Sequence, residues 1–187
     1  MNVYDFDGTI YEGDSSIDFY MYCLKKHPKI LKALPTQMKG FLLYRFHKIN
    51  KTRLKEYYFS FLRALEKPEL DVEKFWDENR NKIKSWYLKQ KNPLDVIISA
   101  SPEFLLRPIL NIIGIYHLIA SDVDIHTGKF RSDNCHDEIK PVYFNQRYPD
   151  EHIDNFYSDS LSDEPMARLA DAAWLIRHDQ IKKWSIT

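Results

Sequence analysis

The sequence predicts an α/β protein: a Rossmann-like parallel sheet flanked by helices, with a helical cap inserted after the first strand. Three observations lead there. A short apolar stretch, Asn2-Val3-Tyr4, runs into an acidic turn, Asp5-Phe6-Asp7-Gly8-Thr9. From about Ser15 to about Gln90, apolar residues recur at mixed, helix-like spacing among lysines, with no run of alternating β-branched residues. From Asn92 onward strand-like and helix-like segments alternate, the pattern of a parallel sheet covered on both faces. The expected division is a core domain of residues 1–13 and 92–187 and a cap of residues 14–91.

Asn2-Val3-Tyr4 is long enough for one stubby strand, and Gly8 permits the tight turn after it. Asp14-Ser15-Ser16 offers capping side chains before Ile17, a helix start. Pro28, Pro35 and Pro68 divide the inserted region into about four helices. Leu94 to Ile98 reads as a buried strand that ends at Ser99-Ala100-Ser101, and a helix runs from Pro102 to Ile113, stopped by Gly114. Leu118-Ile119-Ala120 is a short strand, and Val123 to Phe130 a small hairpin. A helix from Lys140 to Arg147, a strand from Ile153 to Tyr157, a helix near Ser162 and a closing strand at Ala173–Ile176 complete the order.

Composition narrows the function classes. With 27 basic and 27 acidic residues, the chain offers no net field for nucleic acid or an anionic membrane. Its apolar runs are too short to span a bilayer. Cys23 and Cys135 match no disulfide or metal spacing, which suits a reducing compartment, and no basic-then-apolar leader precedes Asn2. A cytoplasmic protein without an obligate protein partner is expected. The run Asn134-Cys135-His136-Asp137-Glu138 does not make a zinc site, because adjacent side chains point in different directions. Aromatic residues of the cap are expected to pack between helices, and the lysines at 25, 26 and 29 and from 48 to 55 to lie on solvated faces.

Chemistry concentrates at the predicted strand ends. Asp5 and Asp7, two apart, share a face, so one can attack while the other moves a proton. Ser99, Lys140, and Asp159 with Asp163 fall at or just beyond other strand ends, where a parallel sheet binds its ligands. Four converging carboxylates need cations, and a hard divalent ion such as Mg²⁺ together with one lysine supplies them. A small hydroxyl and turn amides suit an oxygen-rich anion, so the set points to phosphoryl transfer.

Asp5-Phe6-Asp7-Gly8-Thr9, Ile97-Ile98-Ser99-Ala100-Ser101, Lys140 and Ser158-Asp159-Ser160-Leu161-Ser162-Asp163 resemble, in order, the four motifs of the haloacid dehalogenase-like superfamily. The helical insertion after the first motif resembles the phosphoserine-phosphatase-like branch. The resemblance implies that Asp5 is the nucleophile of an aspartyl-phosphate and Asp7 the general acid and base. Ser99, the Ala100 turn and Lys140 would hold the phosphate, with Gly8 and Thr9 shaping its loop. Mg²⁺ would bind Asp5, the Asp7 carbonyl and Asp159, with Asp163 either binding it or orienting it through its neighbours. The implied substrate is a small phosphorylated metabolite. Phosphotransfer to a second alcohol, as in a mutase, would use the same motifs, and a non-catalytic binding protein could keep the fold without needing Asp7.

Two positions admit alternatives. Ser99 and Ser101 share strand parity; Ser101 precedes Pro102 and is a natural N-cap, which favours Ser99 as the phosphate ligand. Asp14 either caps a helix or meets a polar or cationic group of the substrate.

Overall fold

The computed structural model describes residues 1–178 and 180–185. The chain begins with β1 (Asn2–Tyr4) and continues through five helices, α1 (Ser15–Lys26), α2 (Leu34–Arg45), α3 (Lys51–Tyr58), α4 (Pro68–Asn79) and α5 (Ser85–Gln90), joined partly by 3₁₀ turns. Then come β2 (Val96–Pro102), α6 (Glu103–Ile112), β3 (His117–Ser121), α7 (Ile139–Arg147), β4 (Ile153–Ser158), α8 (Glu164–Ala167), β5 (Ala170–Arg177) and β6 (Gln180–Lys183).

The strands form one sheet in the order β3-β2-β1-β4-β5-β6. All neighbours are parallel except β6, which runs antiparallel along β5. Stubby β1 lies in the middle because Val3 pairs with both Val96 and Phe156. The chain winds from β1 to β3 on one side and from β4 to β6 on the other, so strand order reverses beside β1. A crevice opens at such a reversal, beyond the carboxyl ends of the strands.

Side-chain alternation explains why the sheet is covered on both faces. Val3, Val96, Ile98 and Phe156 point to one side, against Phe144 of α7 and Met166 of α8. Tyr4 and Ile97 point to the other, into a cluster with Leu105, Leu106 and Ile109 of α6. That second cluster continues without a break into the inserted helices through Phe19, Phe61, Phe75 and Trp76. The Trp76 indole N–H donates to the Leu105 carbonyl at 2.6 Å and fixes α4 on α6. The aromatic residues of the insertion are thus mainly packing, as expected. Among the described residues, no helix is long and apolar enough to cross a membrane.

Three details differ from the sequence reading. The expected hairpin is reduced to a single bridge, Val123 to Phe130, closed by a turn in which the Asp124 carboxylate accepts from the N–H groups of His126 and Thr127. The helix near Ser162 is a 3₁₀ turn followed by the four residues of α8. Edge strand β6 was not anticipated; its residues, Gln-Ile-Lys-Lys, carry the charge that protects an edge instead of apolar alternation.

Candidate active site

The first motif leaves β1 and turns at Gly8, whose φ is +73°. A Cβ at Gly8 would lie 2.1 Å from Asp159 Oδ2, so only glycine lets the first and last motifs meet. Thr9 secures the same junction: its hydroxyl accepts from the Asp159 N–H at 2.8 Å. Asp5 is held by the sheet, its N–H donating to the Tyr157 carbonyl at 2.9 Å.

Lys140, in the first turn of α7, is 3% exposed and donates to Asp5 Oδ1 and to Asp163 Oδ2, each at 2.7 Å. Asp163 also accepts from the Ser158 hydroxyl at 2.7 Å. Asp5 and Asp163, from opposite ends of the chain, therefore share one buried ammonium. Burial alone would lower the Lys140 pKa, but Asp5 and Asp163 outweigh it and hold the ammonium above its usual value. Burial pushes Asp5 up, with Lys140 opposing and Asp163 and Asp7 adding to the rise. Asp159 is raised by burial and by Asp163. More acidic groups meet here than one lysine offsets, and all their donor atoms are hard oxygens, which fits a bound divalent cation such as Mg²⁺.

Asp7 sits apart from that cluster, between β2 and the start of α1. Its Oδ1 accepts from the Ser15 N–H and its Oδ2 from the Ser101 hydroxyl, both at 2.6 Å. Ser16 Oγ lies 2.9 Å from Ser101 Oγ, and the Ser15 hydroxyl donates to Ser101 Oγ at 3.3 Å. Burial and the nearby charge of Asp14 push Asp7 up to about 6, against the hydrogen bonds from Ser101 and Ser15. A carboxyl poised there can give and take a proton near neutral pH.

Ser101 is not a helix cap. Strand β2 runs on to Pro102, which is itself the N-cap of α6 and makes no side-chain cap. The sequence-based reason for preferring Ser99 thus falls, since the cap it assumed is absent. A different reason replaces it. The Ser101 hydroxyl hydrogen goes to Asp7, whereas Ser99 Oγ only accepts, from the Ser101 N–H at 3.1 Å. Ala100 follows Ser99 on the same strand end, with its carbonyl turned to Lys55 and Ser121.

Lys55 corrects the reading of residues 48 to 55 as a solvated face. Its ammonium reaches from α3 to the Ala100 carbonyl at 2.7 Å and to Asn134 Oδ1 at 3.1 Å. Burial pushes its pKa down to about 8, with Asp7 and Asp14 pulling it back up. No spacing rule marks it out from its neighbours, so sequence alone could not find it. Asp14 caps α1, accepting from the Ile17 N–H at 3.0 Å, and also lines the cleft. Both readings of Asp14 stay compatible with this position.

One cleft of about 1090 Å³ gathers every residue of the predicted set except Thr9, which lies buried behind Asp5 and Asp159. Sequence reasoning missed Ser15, Ser16 and Lys55, whose signals arise only when α1 and α3 pack over β2.

Known proteins point the same way. The model of the haloacid dehalogenase-like hydrolase family matches residues 3–168. Over 93 residues, 46% of this chain, the sequence is 30% identical to a probable phosphatase of Mycobacterium tuberculosis, and that stretch covers 32% of the relative. The match thus spans about a third of the curated relative's length. A structure from Bordetella pertussis Tohama I, of unknown function, superposes with a TM-score of 0.71 at 21% identity, over 90% of this chain and 85% of that one. A phosphoserine phosphatase solved as a phospho-aspartyl intermediate analogue gives 0.57 at 17% identity, over 91% and 83%.

Proposed function

The chain belongs to the haloacid dehalogenase-like hydrolases, and from that premise we propose that it is a Mg²⁺-dependent phosphomonoesterase working through an aspartyl-phosphate. The observation that carries this reading is the pair of roles held apart in one cleft. Lys140 fixes Asp5 beside Asp163, while Ser101 and Ser15 fix Asp7 on the other side.

Asp5 Oδ attacks phosphorus, the ester P–O bond breaks, and Asp7 gives its proton to the departing alkoxide. Water then attacks the phosphoaspartate, Asp7 takes a proton from it, and the P–O bond to Asp5 breaks to release inorganic phosphate. Ser99, the turn at Ala100 and the Lys140 ammonium receive the phosphoryl oxygens. Gly8 and Thr9 keep the loop close to Asp159. Asp5, the Asp7 carbonyl, Asp159 and Asp163 are the groups that would hold Mg²⁺, which supplies charge neutralisation for the phosphoryl group.

Phosphate release from p-nitrophenyl phosphate tests this directly. Activity should require Mg²⁺ and vanish with EDTA, and Asp5→Asn should fall by at least about 10³-fold. EDTA-insensitive turnover, or an Asp5→Asn variant near wild-type rate, would contradict the assignment.

A further inference from the structure

The wall of the cleft facing the acids is unlike them. It is built from α2 and α3, and its side chains include Met38, Phe41, Leu42 and Leu54. Met38, Phe41 and Leu42 are 64%, 62% and 52% exposed, and at positions i, i+3 and i+4 of one helix they form a contiguous apolar patch at the cleft instead of scattered surface residues. They do not lie there by loose packing. Gly40 sits so close to α3 that a Cβ would stand 2.2 Å from Tyr57 Cβ, which presses α2 against α3 and fixes the wall. On the far side of α3, Thr52 and Glu56 accept from the N–H groups of Asn134 and Phe130.

Three polar side chains beside that wall, Tyr20, Gln37 and Tyr58, are joined in one chain of hydrogen bonds. The Tyr20 hydroxyl donates to Gln37 Oε1 at 3.3 Å, Gln37 Nε2 donates to the Tyr58 carbonyl at 2.8 Å, and the Tyr58 hydroxyl donates to the Ser16 carbonyl at 3.1 Å. Of the charged groups beside the wall, Asp14 accepts from the Ile17 N–H, Lys55 reaches the Ala100 carbonyl and Asn134, and Lys51 at the start of α3 reaches Asp137 at 3.4 Å. A hydrophilic leaving group such as an amino acid or a sugar would meet oily side chains and satisfied hydrogen bonds. The cleft, about 1090 Å³, also far exceeds the bulk of a phosphate on a three-carbon chain.

Resting on the phosphomonoesterase reading above, we infer that the substrate is the phosphate monoester of an alcohol with a long apolar chain. The phosphate lies on the acids and Lys140, and the chain lies along α2, covering Met38, Phe41 and Leu42. The wall gives such a chain contact area continuous with the reacting end, and the apolar surface that folding left exposed is removed from water by the substrate.

Ethyl, butyl and octyl phosphate, each below its critical micelle concentration and with Mg²⁺ present, test the inference through kcat/KM. Full burial of a methylene favours binding about fourfold, and a cleft open on one side should retain roughly half of that on a logarithmic scale. Ethyl and octyl differ by six methylenes, so at about twofold each the expected rise is roughly 60-fold. In a Met38→Ser, Phe41→Ser double variant the rise should shrink to about threefold or less. A flat wild-type series, a rise seen only above the micelle concentration, or an undiminished rise in the double variant would overturn the apolar-chain assignment while leaving the phosphatase standing. Release of phosphate from none of the three esters, nor from p-nitrophenyl phosphate, would overturn both.

Discussion

The floor of the cleft and its wall are made by opposite means. The floor is polar, and its residues are buried and cross-linked: Lys140 bridges Asp5 to Asp163, and Gly8 and Thr9 lock the first motif to Asp159. The wall is apolar, exposed and supported from behind by helix packing, with no hydrogen bond needed from Met38, Phe41 or Leu42. A floor of that kind fixes where charge sits to a fraction of an ångström, which phosphoryl chemistry needs. A wall of that kind fixes only shape and polarity. The two should therefore answer differently to substitution, the floor in both stability and rate, the wall mainly in substrate choice.

The largest expected effect lies at the centre of the floor. Lys140→Met leaves Asp5 and Asp163 buried without their shared cation. Breaking a buried ion pair from one side costs about 3–5 kcal/mol, so urea unfolding should show a loss of that order. Adding Mg²⁺ should recover part of the stability, since the freed carboxylates can still bind a divalent ion. Phosphatase activity should not recover with it, because the phosphate loses its positive partner. A Lys140→Met protein as stable and as active as wild type would remove the floor's central contact from consideration.

A smaller effect separates the two sides of Asp7, where floor and wall meet. Burial and the Asp14 charge push its carboxyl up to about 6, while hydrogen bonds from Ser101 and Ser15 pull it down. Asp7 must be protonated to serve the leaving alkoxide, so kcat/KM should fall as pH rises through its pKa. Asp14→Asn keeps the helix cap, since asparagine caps as well as aspartate, but removes the negative charge. Its alkaline limb should move to lower pH. Ser101→Ala removes a donor to the ionised form, so its limb should move to higher pH by roughly 0.7 unit, the equivalent of about 1 kcal/mol for one hydrogen bond. Shifts of equal sign in the two variants would mean that Asp7 is not the group titrating.

The same contrast decides what could be read from the sequence. The parallel sheet, the helical insertion and the acidic motifs at strand ends were legible because strand alternation and Gly8 act locally, within a few residues. Ser101 was misassigned because Ser-Pro is a common helix start, and here β2 simply runs one residue further before α6 begins. Lys55 resembles Lys51, the other lysine of α3, until α3 is laid over Ala100 and Asn134, a contact across 45 and 79 residues. The apolar wall was hidden for a similar reason. Met38, Phe41 and Leu42 have the spacing of an ordinary core-facing stripe, and only the packing of Gly40 on Tyr57 turns them to the cleft instead.

That inversion yields the smallest expected effect. A core phenylalanine replaced by a small residue costs about 3–5 kcal/mol, because contacts and a cavity are both lost. Phe41 is 62% exposed and should behave as a surface position, where substitutions stay within about 0.5 kcal/mol. Urea unfolding of Phe41→Ser, run beside Phe75→Ser from the buried cluster shared with the sheet, measures the difference between the two kinds of aromatic in one insertion. The Phe75 variant should lose several kcal/mol and the Phe41 variant almost none. Equal losses would mean that α2 uses Phe41 to hold the fold together, and the wall would then be core rather than a surface waiting for a chain.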